Sequence, residues 1–158
     1  MQFSWLRPRS YFTLIEQLKY INDPFELRIE FSRLMQEFGN YYWMVAWAGK
    51  MFPYSEELLN NAHKIKQLVV GLHYFHTHPT FIEAFNPVPE VRFIKSSSRI
   101  FLHSKVYLFM NDNSNWEVLI GSPNFTKAAL NNNNEARSII NGYKPDIGIR
   151  VYIGFASH

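Results

Sequence analysis

The sequence has no cysteine, so disulfides and thiolate catalysis are both excluded. It has no apolar run approaching the ~18 residues of a membrane span. Its first ten residues, MQFSWLRPRS, lack the long apolar centre of a signal peptide. A protein working in the cytoplasm, away from membranes, is therefore expected. There is no internal repeat and no linker-like stretch, so residues 1–158 read as a single domain. The one low-complexity patch, Asn131–Asn134, reads as a polar loop. Charge of one sign is also scarce: 16 Lys+Arg stand against 13 Asp+Glu, a net +3 with a pI near 9.1. That balance permits a phosphate-rich partner without demanding one.

What the chain does have is apolar mass. A hydrophobic content of 47% with 17% aromatics fits a packed globular core and excludes disorder. Residues 1–9, with Pro8 between Arg7 and Arg9, read as an arm or an edge strand. Ser10 as N-cap and the 3.6-residue spacing of Tyr11, Leu14, Ile15 and Leu18 predict a helix to Ile21. Asn22-Asp23-Pro24 then stops and restarts the chain, with Asp23 as N-cap and Pro24 at the first helical position. The helix so opened carries Leu27, Phe31, Leu34, Met35 and Phe38 on one stripe and ends near Gly39. Tyr41–Ala48 reads as a buried strand, and a short helix follows from Ser55 to about Ile65. Gln67–Gly71 is the next strand, Pro79–Phe85 one or two helical turns, and Val91–Lys95 and Ile147–Ile153 further strands. Strands interleaved with helices predict an α/β fold with a mixed central sheet.

The chemistry concentrates between Phe101 and Ile140. As a strand, LHSKVYLF projects His103, Lys105 and Tyr107 from one face. NDNSN then turns the chain into a second run, WEVLI, as in a hairpin or meander. That run delivers Gly121-Ser122-Pro123-Asn124, a tight turn carrying a hydroxyl and a carboxamide. Glu135 follows eleven residues after Asn124 and opens the run ARSII. In isolation His-x-Lys is an ordinary pair on an edge strand and GSPN an ordinary turn; the full ordered set is far more specific.

At these positions the sequence resembles the phospholipase D superfamily, whose signature is His-x-Lys, then Gly-Ser-x-Asn, with a later Glu in many nuclease members. His103, Lys105, Gly121, Ser122, Asn124 and Glu135 fill that pattern in order. The family's usual Asp five residues after the Lys is replaced by Met110, with Asp112 two places late, and the interval to the Gly-Ser turn is long. These departures point away from the lipases and toward the nuclease branch, and within it to the metal-independent restriction endonucleases. The close match covers about a quarter of the chain.

The resemblance implies a fold of helices flanking a central sheet and a phosphodiesterase acting on DNA without metal or other cofactor. A neutral His103 would attack phosphorus, forming a covalent intermediate. Lys105, Asn124 and Ser122 would hold the phosphoryl oxygens, and Glu135 would fix the tautomer of His103. One histidine cannot be nucleophile and protonated acid in the same step. The family's site takes two His-x-Lys units and this chain supplies one, so a homodimer is implied. Enzymes of this kind usually carry a separate DNA-recognition domain or subunit, and nothing in the sequence looks like one. Arg92, Lys95 and Arg99, around Ser96–Ser98, and Lys127 after the GSPNFT turn are candidate DNA-phosphate contacts.

Three other readings compete. His73, His76 and His78 form H-x-x-H-x-H, and HTHP is similar to the zinc-binding His-x-His-Pro of deubiquitinase-type metalloproteases. Those enzymes also need a downstream Ser-x-x-Asp, which TFIEAFNPVPE lacks, although Glu83 is available as a ligand or base. The plainer reading puts the three histidines on the loop after Gln67–Gly71, lining the phosphate cleft or facing solvent. Within the superfamily the alternative is a lipid phosphodiesterase or phosphatidyltransferase; outside it, a non-catalytic nucleic-acid-binding or dimerisation module. The aromatic density suggests base-stacking surfaces, but most of these rings occupy core positions.

Overall fold

The computed structural model describes residues 14–95, 102–112, 115–133 and 136–143. The expected N-terminal arm, the strand Ile147–Ile153, Arg99 and Glu135 lie outside them. Asp23 opens the chain's long helix, α1 (Pro24–Glu37), as the sequence predicts. Its carboxylate accepts from Phe25 N at 3.0 Å, satisfying one of the donors that a helix start leaves unpaired. The stripe Leu27, Phe31, Leu34, Met35 and Phe38 is wholly buried.

Among the described residues that stripe lies on a seven-stranded mixed sheet, in the order β1 (Leu14–Ile21), β7 (Arg137–Tyr143), β6 (Asn115–Gly121), β5 (Lys105–Met110), β2 (Asn40–Val45), β3 (Ile65–Gly71), β4 (Val91–Ile94). β2, β3 and β4 run parallel. The remaining neighbours pair antiparallel, β5 and β6 as the hairpin predicted from NDNSN. Phe31 of α1 sits among Trp43, Tyr107, Phe109 and Phe125, ring centroids 5.5–6.3 Å apart. Offset and edge-on aromatic pairs of this kind add to the stabilisation from area burial alone. α2 (Pro53–Asn60), α3 (Pro79–Phe85) and α4 (Lys127–Asn131) join α1 on the same face, Phe81 of α3 packing on Phe93 and Phe125. No described helix is long and apolar enough to cross a membrane.

The helix expected up to Ile21 is instead the edge strand β1. Its 3.6-residue spacing gives way to pairing with β7 along its length, from Leu14↔Tyr143 to Ile21↔Arg137, because sheet partners override local propensity. The strand conformation buries Ile21 and points Lys19 at Glu26 and Glu30, 2.9 and 2.7 Å away, while Leu18 and Tyr20 are exposed. The helix expected from Ser55 to Ile65 opens earlier, at Pro53, and α2 ends at Asn60. A short 3-10 turn, Ala62–Lys64, follows, and Ile65 already belongs to β3.

Strand polarity places the chemistry. The C-terminal ends of β2, β3, β4 and β6 and the N-terminal ends of β5 and β7 share one end of the sheet. At that end Lys105 pairs with Val45 on one side. Val106 pairs with Ile120 and Gly121 with Arg137, so Val45, Lys105, Gly121 and Arg137 form one row across four strands. Toward the other end, Arg33 of α1 grips Glu117 of β6 at 2.6 and 3.1 Å, beside a cleft of about 430 Å³ whose lining includes Gln17, Lys19 and Asn141. Those charges clamp helix to sheet and belong to the scaffold.

Candidate active site

His103 and Lys105 meet, although the strand that the sequence predicts from Leu102 begins only at Lys105. Lys105 opens β5 and is 94% buried, while His103 just before it is exposed. Lys105 Nζ lies 3.0 Å from both imidazole nitrogens. The lone-pair directions of those nitrogens diverge, so an ammonium equidistant from both lies on the axis of neither. The ammonium also stands 5.3 Å above the ring of Trp47, a cation–π contact that helps it tolerate burial. The edge of His103 meets the same indole at 5.9 Å.

The Gly121–Asn124 turn closes the other side. A Cβ on Gly121 would sit 2.4 Å from the carbonyl oxygen of Ala136 and 2.8 Å from Cα of Arg137, so only glycine lets β7 approach here. The turn is stitched down from three directions. Tyr107 Oη donates to Pro123 O at 2.9 Å, Ser122 N to Ala136 O at 3.1 Å, and Phe125 N to Trp47 O at 3.3 Å. Gly49 N returns a bond to Phe125 O at 2.9 Å. The segment carrying Trp47 is thereby laced to the segment carrying Asn124. The side-chain oxygen of Asn124 is buried without a hydrogen-bond partner among the described residues, an acceptor of the kind that native structures normally satisfy. Ser122 Oγ points at Ala136 O, 3.4 Å away.

The histidine loop forms the third wall. Gly71 ends β3 where a Cβ would lie 2.4 Å from Ala46 O and 2.7 Å from the His73 ring, so the missing side chain leaves room for that imidazole. His73 and His76 flank Trp47 at 6.1 and 4.9 Å between centroids. Burial, and then the charges of His103, His76 and Lys105, hold the His73 imidazole below its ordinary pKa, which favours its neutral form. Thr77 Oγ1 donates to Gly71 O at 2.6 Å and accepts from Ala48 N at 3.2 Å, pinning the loop to β2 and β3. His78 is occupied elsewhere: its Nδ1 caps α3, accepting from Thr80 N at 3.2 Å. The three histidines therefore serve different tasks, and they do not converge as metal ligands among the described residues.

Of the expected phosphate contacts, Lys95 follows Ile94 at the end of β4, where Ile94 O accepts from Leu72 N at 2.8 Å, and so emerges beside the histidine loop. Lys127 is exposed at the first position of α4, directly after the turn, with Thr126 as N-cap. Arg92 lies within edge strand β4, its guanidinium donating to the carbonyls of Pro89 and Val91.

The sequence matches the family described as the NgoFVII restriction endonuclease N-terminal PLD (phospholipase D) domain over residues 55–156, more than half of the chain. The chain belongs to this family. It is a phospholipase D-like domain of the phosphodiester-hydrolysing endonuclease type. Its fold is similar to that of NucT from Helicobacter pylori, with a TM-score of 0.54 and 14% identity over 81% of this chain and 86% of that one. It is also similar to Nuc from Salmonella typhimurium, a phospholipase D family member, with a TM-score of 0.50 and 19% identity over 81% and 82% of the two chains. No curated protein matches the sequence.

Two residues at or beside the candidate site escape a motif reading. Trp47 touches His73, His76, His103 and Lys105, yet in sequence it is one more aromatic in an apolar run. Arg137 is 98% buried, beside Gly121, and its two terminal nitrogens lie 3.4 Å from the carbonyls of Ala129 and Asn133 at the end of α4. A cation there complements the negative end of a helix. The signal for Arg137 is a charge inside the apolar run ARSII; Trp47 has none.

Proposed function

We propose that this domain is a DNA endonuclease that needs no metal and works through a phosphohistidine intermediate in a homodimer. The observation that carries the reading is the pairing of an exposed imidazole, His103, with a buried ammonium, Lys105, at 3.0 Å, one strand from the Gly121–Asn124 turn. A buried cation beside an accessible nucleophile is the arrangement that phosphoryl transfer requires. A nitrogen of His103 attacks phosphorus, and the P–O bond to the leaving alkoxide breaks. The partner's His103, as imidazolium, gives its proton to that oxygen. Water then attacks the phosphohistidine, the P–N bond breaks, and the proton returns to the partner's His103. Lys105 and Asn124 hold the non-bridging oxygens throughout, Ser122 adds a donor, and Glu135 sets the tautomer of His103. Lys95, Lys127 and Arg92 extend the cationic surface toward flanking phosphates, and Arg99, outside the described residues, is kept as a further candidate contact on sequence alone.

Plasmid cleavage in excess EDTA tests this. Wild-type protein is expected to keep its activity in the chelator, and His103→Ala to lose roughly four orders of magnitude or more, as when other covalent nucleophiles are removed. Cleavage abolished by EDTA, or surviving in His103→Ala, would contradict the mechanism.

A further inference from the structure

Most of the aromatic rings are core, but the histidine loop turns two of them outward. Tyr74 is 68% and Phe75 99% exposed. Both residues have positive φ, 55° and 56°, a left-handed conformation that costs a side-chain-bearing residue roughly 1–2 kcal/mol. Phe75 recovers none of that by packing. The conformation is imposed from both ends. Leu72 N donates to Ile94 O at 2.8 Å, His76 N to His73 O at 3.3 Å, and His78 N to Ala48 O at 2.9 Å, while Thr77 bonds to Gly71 and Ala48. Backbone strain held this firmly is characteristic of ligand-contacting segments.

The location indicates the ligand. The Tyr74 ring lies 5.8 Å from His73 and 6.1 Å from His76; His76 lies 4.9 Å from Trp47, and Trp47 is in turn 5.9 Å from His103. A continuous path of rings thus leads from Tyr74, the neighbour of Phe75, to the proposed nucleophile.

We propose that Tyr74 and Phe75 form a stacking platform for an unpaired nucleobase next to the phosphate held at His103 and Lys105. The class of ligand rests on the nuclease reading. A planar base has a π-face whatever its identity, so such a platform binds single-stranded or locally opened nucleic acid with little sequence preference. An edge formed by a buried ammonium and histidines supplies the phosphate end, and the exposed rings supply the base end.

The test is binding of fluorescein-labelled single-stranded oligonucleotides to the His103→Ala protein, which leaves the ligand uncut. One oligonucleotide is intact and the other carries a run of abasic sites with the same phosphates. The intact strand is expected to bind about ten-fold tighter, as for one stacked base. Adding Phe75→Ala is expected to remove that preference, and Phe75→Trp to keep it. Phe75 is on the surface, so these variants are not expected to disturb the core. Equal affinity for the two strands, or a preference that survives Phe75→Ala, would overturn the proposal. So would Phe75-dependent binding to phosphatidylglycerol vesicles without any base preference, which would make the loop a membrane contact. Wild-type plasmid cleavage is scored separately. A base preference without cleavage sinks the nuclease reading and leaves a binding module. Cleavage without a base preference sinks only the platform.

Discussion

Lys105 keeps a charge where burial penalises it. Its ammonium is 94% buried, and desolvating an ion of that kind costs several kcal/mol before any partner is counted. The Trp47 ring and the His103 nitrogens offset part of that cost, yet an apolar side chain of the same length would incur none. Lys105→Met should therefore leave the melting temperature unchanged or raise it, while lowering plasmid cleavage by about two to three orders of magnitude, the usual loss of one charge-stabilising donor. A variant that unfolds would mean that the lysine is structural. The pair was legible in the sequence as a His-x-Lys spacing, although β5 begins only at Lys105 and strand alternation does not reach His103. Asn124 was legible as part of the Gly-Ser-x-Asn turn. Arg137 and Trp47 were not. Arg137 reaches the site through the register of β6 with β7, and Trp47 through the lacing of its backbone to Phe125. The first leaves only a charge inside ARSII as a local mark, and the second leaves none.

At the scale of elements, the histidine loop depends on one hydroxyl. Thr77 Oγ1 is buried, donates to Gly71 O and accepts from Ala48 N, so it joins β3 to the segment after β2. Thr77→Val keeps the shape and removes both bonds, stranding a buried carbonyl and a buried N–H. We expect a loss of about 1–3 kcal/mol in denaturant unfolding, accompanied by weaker oligonucleotide binding as His73 and Phe75 lose their anchorage. Stability unchanged from wild type would show that the loop is held without Thr77. The sequence read most elements well where local signals and packing agree. Asp23-Pro24 opens α1, Pro79–Phe85 is a helix to the residue, and the aromatic run expected as a strand over Tyr41–Ala48 is one as far as Val45. It failed at β1, where Leu14, Ile15 and Leu18 repeat with helical spacing but the open edge of β7 takes the segment as a strand. The start of α2 was missed by two residues because Pro53, a favoured first helical residue, was passed over for Ser55. The Ser55 hydroxyl instead donates to Phe52 O at 2.8 Å, inside the first turn.

For the whole molecule, the proposal is that one chain carries half of a reaction centre. If each site needs two copies of His103, a mixed dimer of wild-type and His103→Ala chains is dead. Unfolding and reassembling equal amounts of the two should leave about a quarter of the wild-type activity, the fraction of all-wild-type dimers. Half the activity would mean that each chain holds a complete site. The most direct test of the central claim is the stereochemistry at phosphorus. A chirally labelled phosphorothioate diester cleaved in isotopically labelled water reports the number of displacements. Attack by His103 and then by water inverts phosphorus twice, so the account predicts net retention of configuration. Net inversion would mean that water attacks directly, and the phosphohistidine mechanism would be wrong.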